Sequence, residues 1–502
     1  MDEPKESTKT TSNGGKNMLD ELKKEANLKY TENGALTYRS TYSSCLDLFA
    51  TCGAMRQADS HTIIRKFTLA YTESPDIAMR ILFYARDIRG GLGERRFFTI
   101  ILHNLANTAP QSVKKNLPLI GEYGRYDDIL SLLGTKCENA MAGFIAEQLK
   151  KDIYAMENEK SVSLLAKWLP SVNSSVYETS ERAKKLCRLL GMREKEYRKT
   201  LSALRSYIGI VEDKMRRKDY TFNYEKLSGK ALFKYRRAMY RHDKKRYKLY
   251  IKNVHENKVE MNTQTIYPYD IVRTAMHTYD PDMASTLDAT WKSLPNYADS
   301  RNALAVIDVS LSMYESKHSF IEPITAALSL GIYFAEHSTG HFANHFITFS
   351  KEPQLIDLGN TDIVGKVKRC LSYCEAANTD VFSVFVLILA TAIKNKLPQS
   401  ELPETIYLIS DMEFDRAVSC DKTVFEVAKK AFEEYGYTLP RIVFWNVAAR
   451  NDNFPITFKE NGAALVSGSS PVLFSQILSQ NLTPVNLMEQ VIGSERYRSI
   501  CA

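Results

Sequence analysis

A chain of 502 residues with 44% hydrophobic and 25% charged residues has the composition of a globular protein with room for two or three domains. No apolar run reaches the roughly 18 residues a membrane span needs, and the polar opening MDEPKESTKTTSNGGKN has no apolar signal core, so a membrane partner is not expected. The net charge of +8 is unevenly spread: residues 181–260 carry 25 Lys and Arg against 10 Asp and Glu, while the remainder carries 42 against 49. Eight cysteines show neither Cys-x-x-Cys spacing nor a paired framework, which suits reduced thiols in a cytoplasmic protein.

In chain order, residues 1–28 are polar and short of aromatics and read as a disordered tail, with Leu19–Leu28 able to start a helix. From Tyr30 to Tyr297 the pattern is predominantly helical. Ile77–Asp87, Phe97–Leu105, Met141–Ile153 and Ala183–Leu190 place apolar residues at helical spacings, with short punctuations at Glu73–Pro75, Arg89–Gly93, Gly121–Gly124 and Pro170–Ser175. That pattern predicts an α-helical domain over 29–298, built as a solenoid of stacked helical pairs. RGGLGERR (89–96) offers glycines and arginines to an anion, but it lacks Gly-Lys-Ser/Thr and reads better as a turn between helices.

The basic segment contains two clusters. Lys214, Arg216, Arg217 and Lys218 form the first; Lys234, Arg236, Arg237, Arg241, Lys244, Lys245, Arg246 and Lys248 form the second. Tyr220, Tyr224, Tyr235, Tyr240, Tyr247 and Tyr250 interleave with them. Cations neutralise phosphates and aromatic faces stack on unpaired bases, so single-stranded or looped RNA is the expected partner. The spacing of Tyr240, Tyr247 and Tyr250 also suits the inward stripe of an amphipathic helix, which would leave the charges as its solvated face.

Near Ser300 the character changes to alternating strands and helices. Ala303–Ile307, His345–Phe349, Thr405–Ser410, Arg441–Trp445 and Ala463–Ser467 read as strands, and Phe320–Ala335, Val381–Ile393, Val424–Tyr435 and Val472–Leu478 as helices. This is the signature of a doubly wound parallel α/β sheet, over 299–502. The expected fold class is therefore multidomain, α followed by α/β.

The first strand runs into Asp308-x-Ser310-x-Ser312. Alternate positions of an extended segment face one way, and ligands of open α/β sheets sit at the carboxyl ends of their strands. Three oxygen donors therefore converge on one spot and suit Mg²⁺ or another hard divalent cation. Thr379, in the loop entering a helix, and Asp411, after the strand TIYLIS, complete the candidate set. Glu315 and Asp415 lie close in sequence and are candidates for tuning the site. His337, His341 and His345 are four apart, but Ser338-Thr339-Gly340 interrupts any helix, so they read as loop and core residues. A haloacid-dehalogenase-type phosphatase would want an acid where Ser310 stands, and there is no Gly-x-Ser-x-Gly elbow, so no enzyme is expected.

Asp308-x-Ser310-x-Ser312 followed by Thr379 and Asp411 resembles the metal-ion-dependent adhesion site of von Willebrand factor A (vWA) domains, departing at Leu311, where many of them have glycine. The resemblance implies that Ser310, Ser312 and Thr379 coordinate directly while Asp308 and Asp411 act through water or hydrogen bonds. TENGALTY (31–38), FYARDIRGGLGER (83–95), GRYDD (124–128), KWLPS (167–171), YRKTLSALR (197–205), RHDKKR (241–246), ISDMEFD (409–415) and VFWN (443–446) together resemble a poorly characterised family. That family joins a helical module to a C-terminal vWA domain and is similar in architecture to the Ro/TROVE RNA-binding proteins, whose HEAT-like repeats form a ring closed by a vWA domain. The expected function is thus a non-enzymatic RNA-binding protein with a Mg²⁺ site that accepts an acidic protein ligand. The alternative is a protein-interaction scaffold that uses the metal site without RNA.

Overall fold

A computed structural model describes residues 27–298, 302–314, 322–349, 352–373, 379–416, 422–477 and 482–502 of the chain. Among the described residues the first element is a hairpin. Strands β1 (Leu28–Tyr30) and β2 (Leu36–Tyr38) pair antiparallel with Lys29 opposite Thr37, and Gly34 takes a positive φ in the connection. Leu28, expected in the tail or an initial helix, opens β1; most of that tail lies outside the described residues. The corrected hairpin was signalled by Asn33-Gly34, a turn dipeptide between two short β-prone triplets.

Helices Ser60–Glu73, Pro75–Arg86, Arg95–Thr108, Glu138–Glu157, Tyr177–Leu189 and Glu194–Ile208 then follow, and the periodicity predicts the second to the fifth of them. Asp59 caps the first of these by accepting from the Thr62 amide, and Pro75 sits where a helix leaves its amides unbonded. RGGLGERR forms the turn between Pro75–Arg86 and Arg95–Thr108. A Cβ on Gly91 would lie 2.1 Å from the Tyr84 carbonyl oxygen, so glycine is a packing requirement there.

Several sequence phrases are accounted for by two sets of polar contacts, one ionic and one between a guanidinium and backbone carbonyls. Asp128 of GRYDD accepts from Arg86 at 2.7 Å and from Arg95 at 2.6 Å, with Asp128 and Arg86 both buried. Arg205 of YRKTLSALR donates to the carbonyls of Ala166 and Leu169 and to Ser171 Oγ, locking it to KWLPS.

Six strands form the second half: β3 (Ala303–Asp308), β4 (His345–Phe349), β5 (Gln354–Asp357), β6 (Thr405–Ser410), β7 (Arg441–Asn446) and β8 (Ala463–Ser467). Their order is β5-β4-β3-β6-β7-β8, parallel throughout except that β5 runs antiparallel to β4 at the edge. β5 escapes sequence reading because QLID has no apolar run and only one buried residue. The predicted helix Val472–Leu478 is instead a 3₁₀ helix over Pro471–Gln476.

Alternation assigns the two faces of the sheet. Ala305, Ile307, Tyr407, Ile409, Val443 and Trp445 share a core with helix Pro323–His337, and that core is continuous with the interior of the helical half. Leu304, Val306, Ile406, Leu408, Ile442 and Phe444 face helices Val381–Asn395 and Val424–Glu434. A third, smaller core lies beneath helices Gly229–His242 and Lys244–His255. Among the described residues no helix is long and apolar enough to cross a membrane.

Candidate functional site

The carboxyl ends of β3 and β6 lie side by side, with Ile307 opposite Ile409, so Asp308 and Asp411 emerge at one edge of the sheet. Asp308 is wholly buried. One of its oxygens accepts from the Ser310 amide at 2.9 Å and the other from Ser410 Oγ at 2.7 Å. Ser310 Oγ and Ser312 Oγ are 3.0 Å apart. Asp411, also buried, accepts from the Glu413 amide at 3.2 Å and from Arg450 Nη2 at 2.9 Å. Burial above all, then the charge of Asp411, pushes the Asp308 carboxyl up to about 7. Met412 takes φ 66°, a left-handed conformation that costs a non-glycine residue roughly 1–2 kcal/mol. This strain falls between Asp411 and Glu413, both turned inward.

Thr379 enters through other residues. Its hydroxyl donates to Asp415 at 3.0 Å and accepts from Asn33 Nδ2 at 2.6 Å; Asn33 also donates to the Glu413 carbonyl at 2.6 Å. Asp415 is held above the usual carboxylate range, chiefly by burial, with the Thr379 hydrogen bond opposing and the Asp380 charge adding to the shift. The turn joining β1 and β2 seats here: Thr31 Oγ1 donates to the Phe414 carbonyl, the Glu32 amide to Glu413, and Asn451 bridges Glu32 and Glu413. Ser410, Glu413, Arg450, Asn451, Glu32 and Asn33 are therefore parts of the site that sequence reading missed. TENGALTY was visible as a phrase, but nothing in it reveals a partner more than three hundred residues away. Glu315 lies outside the described residues.

The oxygen donors at the carboxyl ends of β3 and β6 are the carboxylates of Asp308 and Asp411 and the hydroxyls of Ser310 and Ser312, while the Thr379 hydroxyl is tied to the loop after β6 through Asn33, the Glu413 carbonyl and Asp415. Such a set suits Mg²⁺ rather than a softer metal. His337, His341 and His345 fall at a helix end, a loop and a strand start.

The basic segment is placed differently from its sequence reading. Tyr224, Tyr247 and Tyr250 are buried in the third core, and Tyr240 is half-buried with its hydroxyl on Asp282. Aromatic stacking on bases is thus closed to the buried three: Tyr247 and Tyr250 follow the inward stripe of helix Lys244–His255, and Tyr224, in the 3₁₀ turn before the pair, packs on both of them. Arg216 and Arg217 both pair with Asp213, Arg246 with Asp243 and the Phe222 carbonyl, and Arg236 folds over the Phe233 ring. Lys214 is half-buried; Lys218, Arg237, Arg241, Lys244 and Lys245 are exposed. What remains is a surface of cations.

A family model described as a domain of unknown function, DUF2828, matches residues 31–135 and 137–300. The chain belongs to the DUF2828 family. Beyond the DUF2828 segment, a second domain of unknown function, DUF7788, matches residues 302–495, which contain Asp308, Ser310, Ser312, Thr379 and Asp411. The uncharacterized protein L728 of Acanthamoeba polyphaga mimivirus is 28% identical over 511 residues, spanning 93% of this chain and 87% of the relative. The crystal structure of the Deinococcus radiodurans RO (RSR) protein aligns with 90% of this chain and all of that one at 10% identity and a TM-score of 0.35, a likeness too slight to assign anything.

Proposed function

We propose that this DUF2828 protein is a non-enzymatic binding protein, with a vWA-type metal-ion-dependent adhesion site on its sheet and an RNA-binding cationic surface on its helical half. The observation that carries the first part is the pair of buried carboxylates, Asp308 and Asp411, at the tips of neighbouring parallel strands. Like charges buried together are costly; Arg450 offsets part of that cost at Asp411, and a divalent cation would offset the remainder at Asp308. Ser310, Ser312 and Thr379 would hold the ion through their hydroxyls, with Asp308 and Asp411 balancing its charge. Bound there, Mg²⁺ supplies a coordination position for the carboxylate of an acidic protein partner or a phosphate oxygen. Leu311, 64% exposed between the two serines, offers such a partner an apolar contact beside the charge.

Calorimetric titration of the EDTA-stripped chain with Mg²⁺ tests this reading. One ion per chain is expected, lost in Asp308→Ala and in the double variant Ser310→Ala/Ser312→Ala with the circular dichroism of both unchanged. No binding, or binding that survives both variants, overturns it.

The exposed Lys218, Arg237, Arg241, Lys244 and Lys245 favour RNA, held through phosphates rather than bases. Filter binding of a structured, single-strand-tailed RNA across a salt series checks this against Arg237→Glu/Lys244→Glu/Lys245→Glu. Loss of three phosphate contacts should flatten the slope of log K on log[salt] by about 2. If the metal binds and RNA does not, the scaffold reading stands in its place.

A further inference from the structure

We infer that the cleft between helices Arg95–Thr108 and Tyr177–Leu189 is a phosphate-binding site for an extended nucleic-acid strand. The cleft encloses about 920 Å³, and its floor is the 3₁₀ segment Tyr126–Leu132. On one wall Arg182, Lys185 and Arg188 recur every third residue and so share a helix face. On the other wall Arg95, Thr99 and His103 recur every fourth, with Arg96 beside them.

Charge accounting within the cleft leaves cations in excess. Its two acids are already occupied: Asp127 pairs with Arg95 and Arg125, and Glu181 with Lys184 at 2.8 Å. Arg95 is fixed by Asp128 and Lys185 by Glu138, while Arg96 is steadied by the Ala58 carbonyl at 2.7 Å. Arg182 and Arg188 are exposed and, among the described residues, have no ion-pair partner. Like charges lining one concavity focus the field there and draw in anions. Guanidinium forks match phosphate geometry with two parallel hydrogen bonds, which a lysine cannot do. His103 Nδ1 donates to the Ser131 carbonyl at 2.7 Å, so Nε2 faces a ligand and donates to a phosphate oxygen only in the imidazolium form. Among the described residues no Phe, Tyr or Trp lines the cleft, so a strand is held by its backbone and not read by its bases. None of residues 214–248 lines it either, which makes this site independent of the cationic surface proposed above.

The test is fluorescence anisotropy of the full chain with end-labelled single-stranded RNA and single-stranded DNA of one length, at matched salt. Three charge reversals are compared: Arg182→Glu/Arg188→Glu in the cleft, Arg237→Glu/Lys244→Glu/Lys245→Glu outside it, and Lys150→Glu/Lys151→Glu as an exposed control. The cleft variant should weaken both strands at least tenfold and flatten the salt slope by about 1.4, the value for two single-strand phosphate contacts. The affinity of the cleft variant staying within twofold of the control overturns the proposal, whichever way the 237/244/245 variant behaves. Inorganic polyphosphate should compete with the strands. Its binding while both strands are ignored overturns the nucleic-acid assignment in favour of free polyphosphate. Polyglutamate bound as tightly as RNA overturns the phosphate assignment itself.

Discussion

Asp308 is pulled in two directions. The Ser310 amide and Ser410 hydroxyl favour its ionised form, while burial and the Asp411 charge oppose it more strongly, leaving the carboxyl near 7. The folded value lies above the ordinary 3.8 of an unfolded chain, so folding favours the protonated form. Stability from this group is therefore full below about pH 4 and lost as pH rises towards 7. In EDTA, the urea midpoint of the wild type should fall over that window relative to Asp308→Asn, whose amide satisfies both neighbours without titrating. The expected relative loss is on the order of 2–4 kcal/mol. Excess Mg²⁺ should abolish it by favouring the ionised form. A difference that stays flat from pH 4 to 7 without metal would show that Asp308 ionises freely in the fold.

Among the elements, those with strong internal signals were legible: TIYLIS and AALVS are strands over the spans their apolar runs mark, and most long helices agree to within a few residues. Asp308, Ser310 and Ser312 were legible as a group because they lie within five residues at the end of β3, but not for the reason their alternation suggests: β3 stops at Asp308, and Ser312 sits in a 3₁₀ helix over Leu311–Tyr314 rather than on an extended segment. The β1–β2 hairpin was not, since three-residue strands carry little pattern and its purpose lies in contacts with Phe414, Glu413 and Thr379. The tyrosines of 220–250 were ambiguous for a physical reason, as stacking platforms and helix interiors share one spacing. Because Asn33 orients the Thr379 hydroxyl, Asn33→Ala should cost about 1 kcal/mol of stability and weaken Mg²⁺ several-fold by calorimetry. Unchanged metal affinity with reduced stability would make the hairpin a fastening for the loop and nothing more.

At the scale of the whole molecule, the β1–β2 turn and the C-terminal residues both cross between the halves. The β1–β2 turn seats on the sheet, while Arg496 and Tyr497 return to the buried Asp87, and Asn116 donates to the Cys501 carbonyl. The interior of the helical half runs without a break into one face of the sheet, so the two halves share a core. Their backbones also meet closely: Gly53 donates to Ser467 Oγ, and a Cβ there would lie 2.6 Å from the Ser467 carbonyl oxygen. A methyl at that point must push the helical half off the end of β8, an overpacking cost of about 1–3 kcal/mol. Two single-tryptophan forms can report on this, one keeping Trp168 in the helical half and one keeping Trp445 in β7. If the shared core makes one cooperative unit, both report the same urea midpoint, and Gly53→Ala lowers the two together. Separate midpoints, or a shift in one tryptophan alone, would mean that the halves unfold independently and that the common core adds little to either.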